Sequence, residues 1–474
     1  MKSIPQFLIA APTSGSGKTT ISRGLMSLLV RKGYTVQPFK CGPDYIDTKY
    51  HAVVCGRPSI NLDTFMASEK HVRQLYAHYS ADADASIVEG MMGMFDGYDR
   101  DRGSSAEIAK LLGIPVVLVV DAKSAAYSMA PLLSGFINFR SDISIAGVIF
   151  NRVGSPRHYE MLQEVCEDLK VTCLGYLPKN KELEQKSRHL GLDFSFLFGE
   201  QKNSKATETE SEIKTRNLLT DLLEKHVDWQ LLLKKTTLSM PEVQERKEVE
   251  AQEGKQEKAG GLRILVAHNE ESFSFVYEEH LAILRRMGTV SFFNPEHNRP
   301  ISQKTDLLYL PGGYPEERIE ELGAAWRTKE SIRKYVEAGG KVLAECGGMI
   351  YLSQSIDCIL DDMDNPSESD KMVGIFPFYI TNENDYRKLT LGYRQFDYNG
   401  QHLRGHEFHY TTLAKWYQGA KTFEVAYNYH LPPSIAQVYN AKGQPVDTPV
   451  FRYKNVIASY THLYWGEVDV MSLF

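Results

Sequence analysis

Two segments of this chain hold residues whose types and order belong to different chemistries. The first is Ala10-Ala11-Pro12-Thr13-Ser14-Gly15-Ser16-Gly17-Lys18-Thr19-Thr20, set between an apolar run and a helical pattern. A strand that breaks into Gly/Ser-rich backbone and then enters a helix aims amide N–H groups at phosphate oxygens, and the helix dipole adds to that field. Gly15, Ser16, Gly17, Lys18, Thr19 and Thr20 are therefore the candidate ATP-binding residues. Lys18 reaches the terminal phosphates and the Thr19 hydroxyl serves as a Mg²⁺ ligand. The usual pattern opens with glycine where Pro12 stands, so the strand–loop–helix context carries the reading. The second segment is Leu343-Ala344-Glu345-Cys346-Gly347-Gly348-Met349. It places Cys346 on a small-residue turn of the nucleophile-elbow kind, where Gly347 and Gly348 let the backbone bend and present an N–H to a developing oxyanion. A cysteine at a helix start is expected to have a lowered thiol pKa.

Each site needs further groups. Magnesium takes an additional carboxylate from a strand end. Glu89, closing Ala85-Ser86-Ile87-Val88-Glu89, and Asp47, in Cys41-Gly42-Pro43-Asp44-Tyr45-Ile46-Asp47, are the candidates. An N-cap would also explain Glu89, and a solvated turn would explain Asp47. Asn151, following Gly147-Val148-Ile149-Phe150, is the candidate to face the adenine ring, with a turn cap as the plainer alternative. A cysteine nucleophile needs a base, usually histidine. His462 ends a strand pattern, and His406 and His409 are its rivals. Pro311-Gly312-Gly313 offers further oxyanion N–H groups. A buried structural cysteine would also account for Cys346, but two following glycines add nothing to a core helix.

The elements that must position these residues follow from hydrophobic patterning. Phe7–Ala11, Ala85–Glu89, Pro115–Asp121, Ile145–Asn151 and Thr172–Leu177 are continuous apolar runs separated by helical periodicity. That alternation predicts a parallel sheet covered on both faces. A second series starts at Arg263–Ala267 and continues through Asp306–Leu310 and Lys341–Glu345. After about Met372 it gives way to alternating, aromatic-rich strands, Phe423–Tyr429 and Val456–His462 among them. The expectation is an α/β chain of two doubly wound domains. Residues 1–200 form the domain that carries the phosphate loop and 262–474 the domain that carries Cys346. The Lys/Glu/Gln/Ser/Thr-rich stretch 201–261 joins them as a charged linker, with one helical pattern at Asn217–Leu233.

At 474 residues the chain exceeds one hydrophobic core. A net charge of −6 argues against a nucleic-acid surface. Apolar runs such as Ile114–Val120 are too short to span a membrane, and the N-terminus lacks a signal-peptide pattern. The six cysteines show no disulfide or zinc spacing, so a cytoplasmic location is expected.

These strings occur in order with Val88–Gly97, Arg188-His189-Leu190-Gly191-Leu192, Gly392-Tyr393-Arg394, Gly405–Tyr410 and Ala458–Trp465. Together they resemble the cobyrinic acid a,c-diamide synthase family over nearly the whole length. The first half is similar to the dethiobiotin-synthetase type of P-loop domain, the second to a class I glutamine amidotransferase. The resemblance implies ATP- and L-glutamine-dependent amidation of the a and c acetates of cobyrinic acid, a corrinoid. It makes Cys346 the nucleophile and His462 its base, and it assigns Asp44, Tyr45 and Asp47 to a substrate and magnesium segment. Ammonia released at one site must reach the other without being protonated in water. Nickel-sirohydrochlorin and hydrogenobyrinic acid are alternative substrates. A non-catalytic P-loop switch is the alternative of another class, and a homodimer is among the expected assemblies. One departure stands out: a typical triad carries Glu two residues after the histidine, where this chain has Tyr464. The third partner of His462 is left open.

Overall fold

The runs of Val, Ile and Leu in the first half form a sheet buried on both faces. In the computed structural model, which describes residues 2–183, 210–240, 261–356, 371–382, 387–413 and 431–474, the strands are β1 (Ser3–Ala10), β2 (Val36–Cys41), β3 (Ile60–Leu62), β4 (Ala85–Glu89), β5 (Val116–Asp121), β6 (Ile145–Val153) and β7 (Cys173–Pro178). Their order is β3-β2-β4-β1-β5-β6-β7, with every neighbouring pair parallel. Strands β4 and β5 flank β1, so the chain reverses its direction of travel across the sheet beside β1. Ligands bind at such a switch point, outside the carboxyl ends of the strands. The phosphate-loop candidate leaves β1 at that edge and enters the helix Lys18–Arg31.

An eighth strand, β8 (Thr237–Ser239), pairs antiparallel with the start of β1, Ser3 opposite Ser239. The helices Glu210–His226 and Trp229–Thr236 precede it. They bury Leu219, Leu223, Val227, Leu232 and Leu233 in the same core as Leu25 and Leu29, and Thr220 Oγ1 donates to Ser27 Oγ at 2.9 Å. The segment expected to be a charged linker thus supplies folded elements to the first unit over 210–240. Its charged residues face outward while one apolar stripe is buried, the stripe seen as the helical pattern Asn217–Leu233 and divided here between two helices. The chain divides into two compact units, Met1–Ala251 and Gln252–Phe474.

The second unit opens with β9 (Leu262–Ala267), β10 (Gly288–Phe293), β11 (Leu307–Leu310) and β12 (Val342–Glu345). Two short strands, β13 (Ser355–Ile356) and β14 (Tyr379–Thr381), join β17 (Thr412–Leu413) in a small sheet. The long pair β15 (Thr390–Tyr398) and β16 (Gln401–His409) is a hairpin closed by Asn399-Gly400, both at positive φ. Asn-Gly suits this turn because both central residues must enter the left-handed region. The unit ends with β18 (Val438–Asn440), β19 (Pro445–Val446), β20 (Val450–Tyr453), β21 (Val456–Ser459) and β22 (His462–Tyr464). One sheet runs β10-β9-β11-β12-β21-β20 and another β19-β18-β15-β16-β22.

The expected single strand Val456–His462 is therefore two strands in two sheets, broken at Tyr460-Thr461, and the break delivers His462 to the second sheet. The expected strand Phe423–Tyr429 and the string Arg188–Leu192 lie outside the described residues. No helix among the described residues is long and apolar enough to cross a membrane.

Candidate active sites

In the first unit the loop after β1 is closed on itself: Ser16 Oγ donates to Thr13 O at 2.9 Å. Gly15 and Gly17 take positive φ, 78° and 99°. Gly17 is also sterically required, since a Cβ there would lie 2.0 Å from Asn151 Nδ2. Asn151 Nδ2 donates to Ser16 O at 2.9 Å, and its Oδ1 accepts from Arg152 N at 2.9 Å. The amide expected to face adenine is thus bonded to the phosphate loop, which it pins to the end of β6. Lys18 and Thr19 open the helix, with Thr20 half-buried in its first turn. Lys18 Nζ donates to Met92 O, across from the loop that follows β4. Burial, and then the neighbouring Lys40 ammonium, lowers the Lys18 pKa to about 8.

Thr19, Asp47 and Glu89 converge. Thr19 Oγ1 donates to Glu89 Oε1 at 2.7 Å and lies 3.4 Å from Asp47 Oδ2. The same two carboxylate oxygens hold a residue that the sequence reading did not single out. Lys40, at the end of β2, puts Nζ 2.8 Å from Asp47 Oδ2 and 2.8 Å from Glu89 Oε1. The other Glu89 oxygen lies 2.8 Å from His51 Nε2, whose Nδ1 is 3.1 Å from Ser59 Oγ. Burial alone would raise the Glu89 carboxyl, but the Lys40 ammonium and the His51 bond hold it well below its usual range. Burial pushes Asp47 up to about 6 against the pull of Lys40. Asp44 Oδ1 accepts from Ile46 N and Asp47 N at 2.8 and 2.9 Å, fixing the turn that opens the helix Asp47–Cys55. Tyr45 is buried beside it.

A hydroxyl and two carboxylates are the hard oxygen donors that magnesium takes. Among the described residues no cluster of three or more His, Cys, Asp or Glu is arranged to hold a metal. Thr19, Asp47 and Glu89 thus suit an ion whose remaining positions are filled by phosphate oxygens and water.

In the second unit β12 ends at Glu345 and the chain turns sharply. Cys346 has φ 46° and ψ −106°, a strained conformation for a residue with a Cβ, and the helix Gly347–Tyr351 follows. A Cβ on Gly347 would meet Gly313 O at 2.8 Å, and one on Gly348 would meet Leu310 O at 2.0 Å. Both glycines are demanded by the approach of the β11 loop. Cys346 N donates to Ser459 O at 2.8 Å, tying the elbow to the end of β21. Three residues on, His462 is fully buried, stands opposite His406 in the β16–β22 register, and has its ring against Gly312. His462 and Gly347, the residue after Cys346, therefore border one turn, Gly312-Gly313.

The thiol expectation is corrected. Burial, reinforced by Glu316 nearby, raises Cys346 well above the ordinary cysteine value, and the Gly347 N–H offsets little of this. The helix is a single short turn, too small to outweigh desolvation. His462 is lowered to about 3 by burial and then by His406 and His409. A neutral thiol and a neutral imidazole are the resting groups.

The rivals are occupied or neutral. His409 lies 2.9 Å from Glu407 Oε1 and 2.7 Å from Thr411 O, and it stacks on Tyr460. Glu407 also pairs with Arg394 and accepts from Thr448 Oγ1 at 2.9 Å. His406 is buried, its pKa lowered to about 3 by desolvation and then by Arg394. Tyr464, standing where the class carries an acid, donates to Glu279. Sequence reasoning missed Glu316 and Glu407, two of the three carboxylates whose fields reach Cys346, the third being Glu345.

Comparison with known proteins follows the same division. Residues 7–192 match the model of the CobQ/CobB/MinD/ParA nucleotide binding domain, and residues 263–470 match that of the CobB/CobQ-like glutamine amidotransferase domain. A cobyrinate a,c-diamide synthase from Caldanaerobacter subterraneus subsp. tengcongensis is 37% identical over 469 residues, covering 96% of this chain and 94% of its own. Another from Saccharolobus solfataricus is 32% identical and covers 99% of this chain and 100% of its own. A hydrogenobyrinate a,c-diamide synthase from Brucella anthropi is 36% identical over 96% of this chain and 98% of its own.

Proposed function

We propose a division of labour for this chain, which belongs to the cobyrinate and hydrogenobyrinate a,c-diamide synthase family. It is a glutamine-dependent amidating ligase of cobalamin biosynthesis. In our reading the second unit releases ammonia from glutamine. His462 takes the Cys346 proton, Sγ bonds to the amide carbon, and the C–N bond breaks as the proton passes to the leaving ammonia. Water then hydrolyses the thioester to glutamate. The resting neutral pair is the state from which general-base activation starts.

In the first unit a corrinoid acetate oxygen attacks the γ-phosphorus, ADP leaves, and an acyl phosphate forms. Ammonia attacks its carbonyl carbon and phosphate departs, leaving the amide. Lys18 and the loop N–H groups neutralise charge on the phosphoryl oxygens. Thr19, Asp47 and Glu89 would hold Mg²⁺, which supplies charge neutralisation when bound. Asn151 keeps the loop in register beneath the nucleotide, and Asp44 and Tyr45 border the acetate. We assign the a and c acetates of cobyrinic acid as the groups amidated and the cytoplasm as the compartment.

One observation carries the reading: a strained cysteine elbow and a phosphate loop backed by two convergent carboxylates occur on one chain. The test incubates the protein with ATP, Mg²⁺, glutamine and, separately, cobyrinic acid, hydrogenobyrinic acid and nickel-sirohydrochlorin, with product mass as readout. Diamidated cobyrinic acid is expected. Finding no amidated tetrapyrrole would overturn the substrate assignment. Cys346→Ala should abolish glutamine-dependent synthesis and leave synthesis from ammonia intact.

A further inference from the structure

The Lys40 side chain is almost wholly buried at the carboxyl edge of the first sheet. Its Nζ makes its two 2.8 Å contacts with Asp47 Oδ2 and Glu89 Oε1, the oxygens that also face Thr19 Oγ1. Its next neighbours are Gly90 O at 3.4 Å and Asp44 Oδ2 at 3.9 Å. The His51 bond to Glu89 Oε2 keeps that carboxylate from turning away. The two carboxylate oxygens that face Thr19 Oγ1, one from Asp47 and one from Glu89, are therefore both directed at an ammonium. Magnesium needs its ligands at about 2.1 Å in near-ideal octahedral geometry, and it cannot share these oxygens with an ammonium lodged between them.

We propose that Lys40 is the resident cation of this site, holding the metal position while nucleotide is absent, so that magnesium enters only together with nucleotide phosphate. This rests on the reading of the first unit as an ATP site. The physical reason is charge. Two buried carboxylates without a cation are strongly unfavourable, and the Lys40 ammonium satisfies them. A free divalent ion would have to push the ammonium into a dry interior beside Lys18, already a cation. The triphosphate changes this, because its oxygens give the displaced ammonium a destination. Metal, phosphate and Lys40 then exchange places in one event, and the ammonium arrives beside the phosphoryl group to be transferred.

The test titrates Mn²⁺ into the full chain, with free Mn²⁺ read by electron paramagnetic resonance, with and without a non-hydrolysable ATP analogue. The wild-type protein should take up one Mn²⁺ per chain only with the analogue. Lys40→Met should bind Mn²⁺ without nucleotide at least tenfold more tightly than wild type, and Lys40→Arg should remain refractory. In thermal unfolding, Mn²⁺ alone should raise the Tm of Lys40→Met and leave wild type unmoved, a readout that holds for a destabilised variant. Stoichiometric Mn²⁺ binding by nucleotide-free wild type overturns the proposal, as does a Lys40→Met protein no better than wild type. If Lys40→Met does not fold, Lys40→Gln takes its place in the same titration, with the same outcomes. Failure of wild type to bind the ATP analogue would instead sink the ATP-site reading.

Discussion

A Cβ on Gly312 would fall 2.1 Å from Cε1 of His462. That distance leaves no room for any side chain, so the imidazole occupies the volume that glycine vacates. Gly312→Ala should displace the ring, and a misplacement of about 1 Å can cost on the order of 10²-fold in rate. The expected outcome is a loss of that size in glutamine-dependent kcat/KM, with ammonia-dependent synthesis unchanged. An equal fall in both activities would show a folding defect in place of a displaced base.

The Cys346 thiol, pushed up by burial and by Glu316, should react slowly with iodoacetamide in the free enzyme. Below its pKa the thiolate fraction grows about tenfold per pH unit. The inactivation rate should climb steadily from pH 7 to pH 9. A plateau beginning near pH 6 would instead reveal a stable thiolate.

Glu345 lies directly before the nucleophile, accepting from Tyr309 Oη at 2.7 Å and Leu463 N at 3.2 Å. Burial raises its carboxyl from the ordinary 4.5 to about 8. The native state keeps a proton that the unfolded chain releases between those values. This contribution to stability is complete below the lower value and is lost as pH rises to about 8, at roughly 1.4 kcal/mol per unit. Urea unfolding of the second unit at several pH values should show that decline in wild type, and Glu345→Gln should flatten it.

Leu223 is fully buried on the helix Glu210–His226, and a Cβ on Gly24 would meet its Cδ1 at 2.3 Å. Leu223→Ala should destabilise the nucleotide unit by about 2–5 kcal/mol, seen as a lower urea midpoint for loss of ATP-analogue binding. A change within a few tenths of a kcal/mol would mean that this helix is not part of the unit's core.

The parallel sheet of the first unit was readable because its strands are continuous apolar runs, Thr19 because it opens a helix after a Gly/Ser loop, and Glu89 and Cys346 because each sits at the end of a strand beside glycine. Other features depend on tertiary burial. Lys40 stands in the apolar strand Val36–Cys41, and a lone lysine in a buried strand requires a partner, a signal that was present and unused. His51 carries no such mark, since only the fold brings it against Glu89. The Cys346 pKa went the other way because a helix start is visible in sequence and desolvation is not. The helical spacing of Asn217–Leu233 was legible, but its division into two helices and the earlier start at Glu210 were not.

The pairing of Ser3 with Ser239 has a consequence for how the protein is made. Strand β1 is the centre of its sheet and the origin of the phosphate loop, yet its first residues are matched by a strand from the far end of the unit. Contacts so distant in sequence form slowly, because the loop-closure entropy comes before the reward. During synthesis the nucleotide unit cannot complete its core until the helices after residue 210 have left the ribosome, and the glutamine unit follows at once. A fragment ending near residue 200 would expose the leucine face that those helices cover, and it should aggregate where one ending after residue 240 should fold.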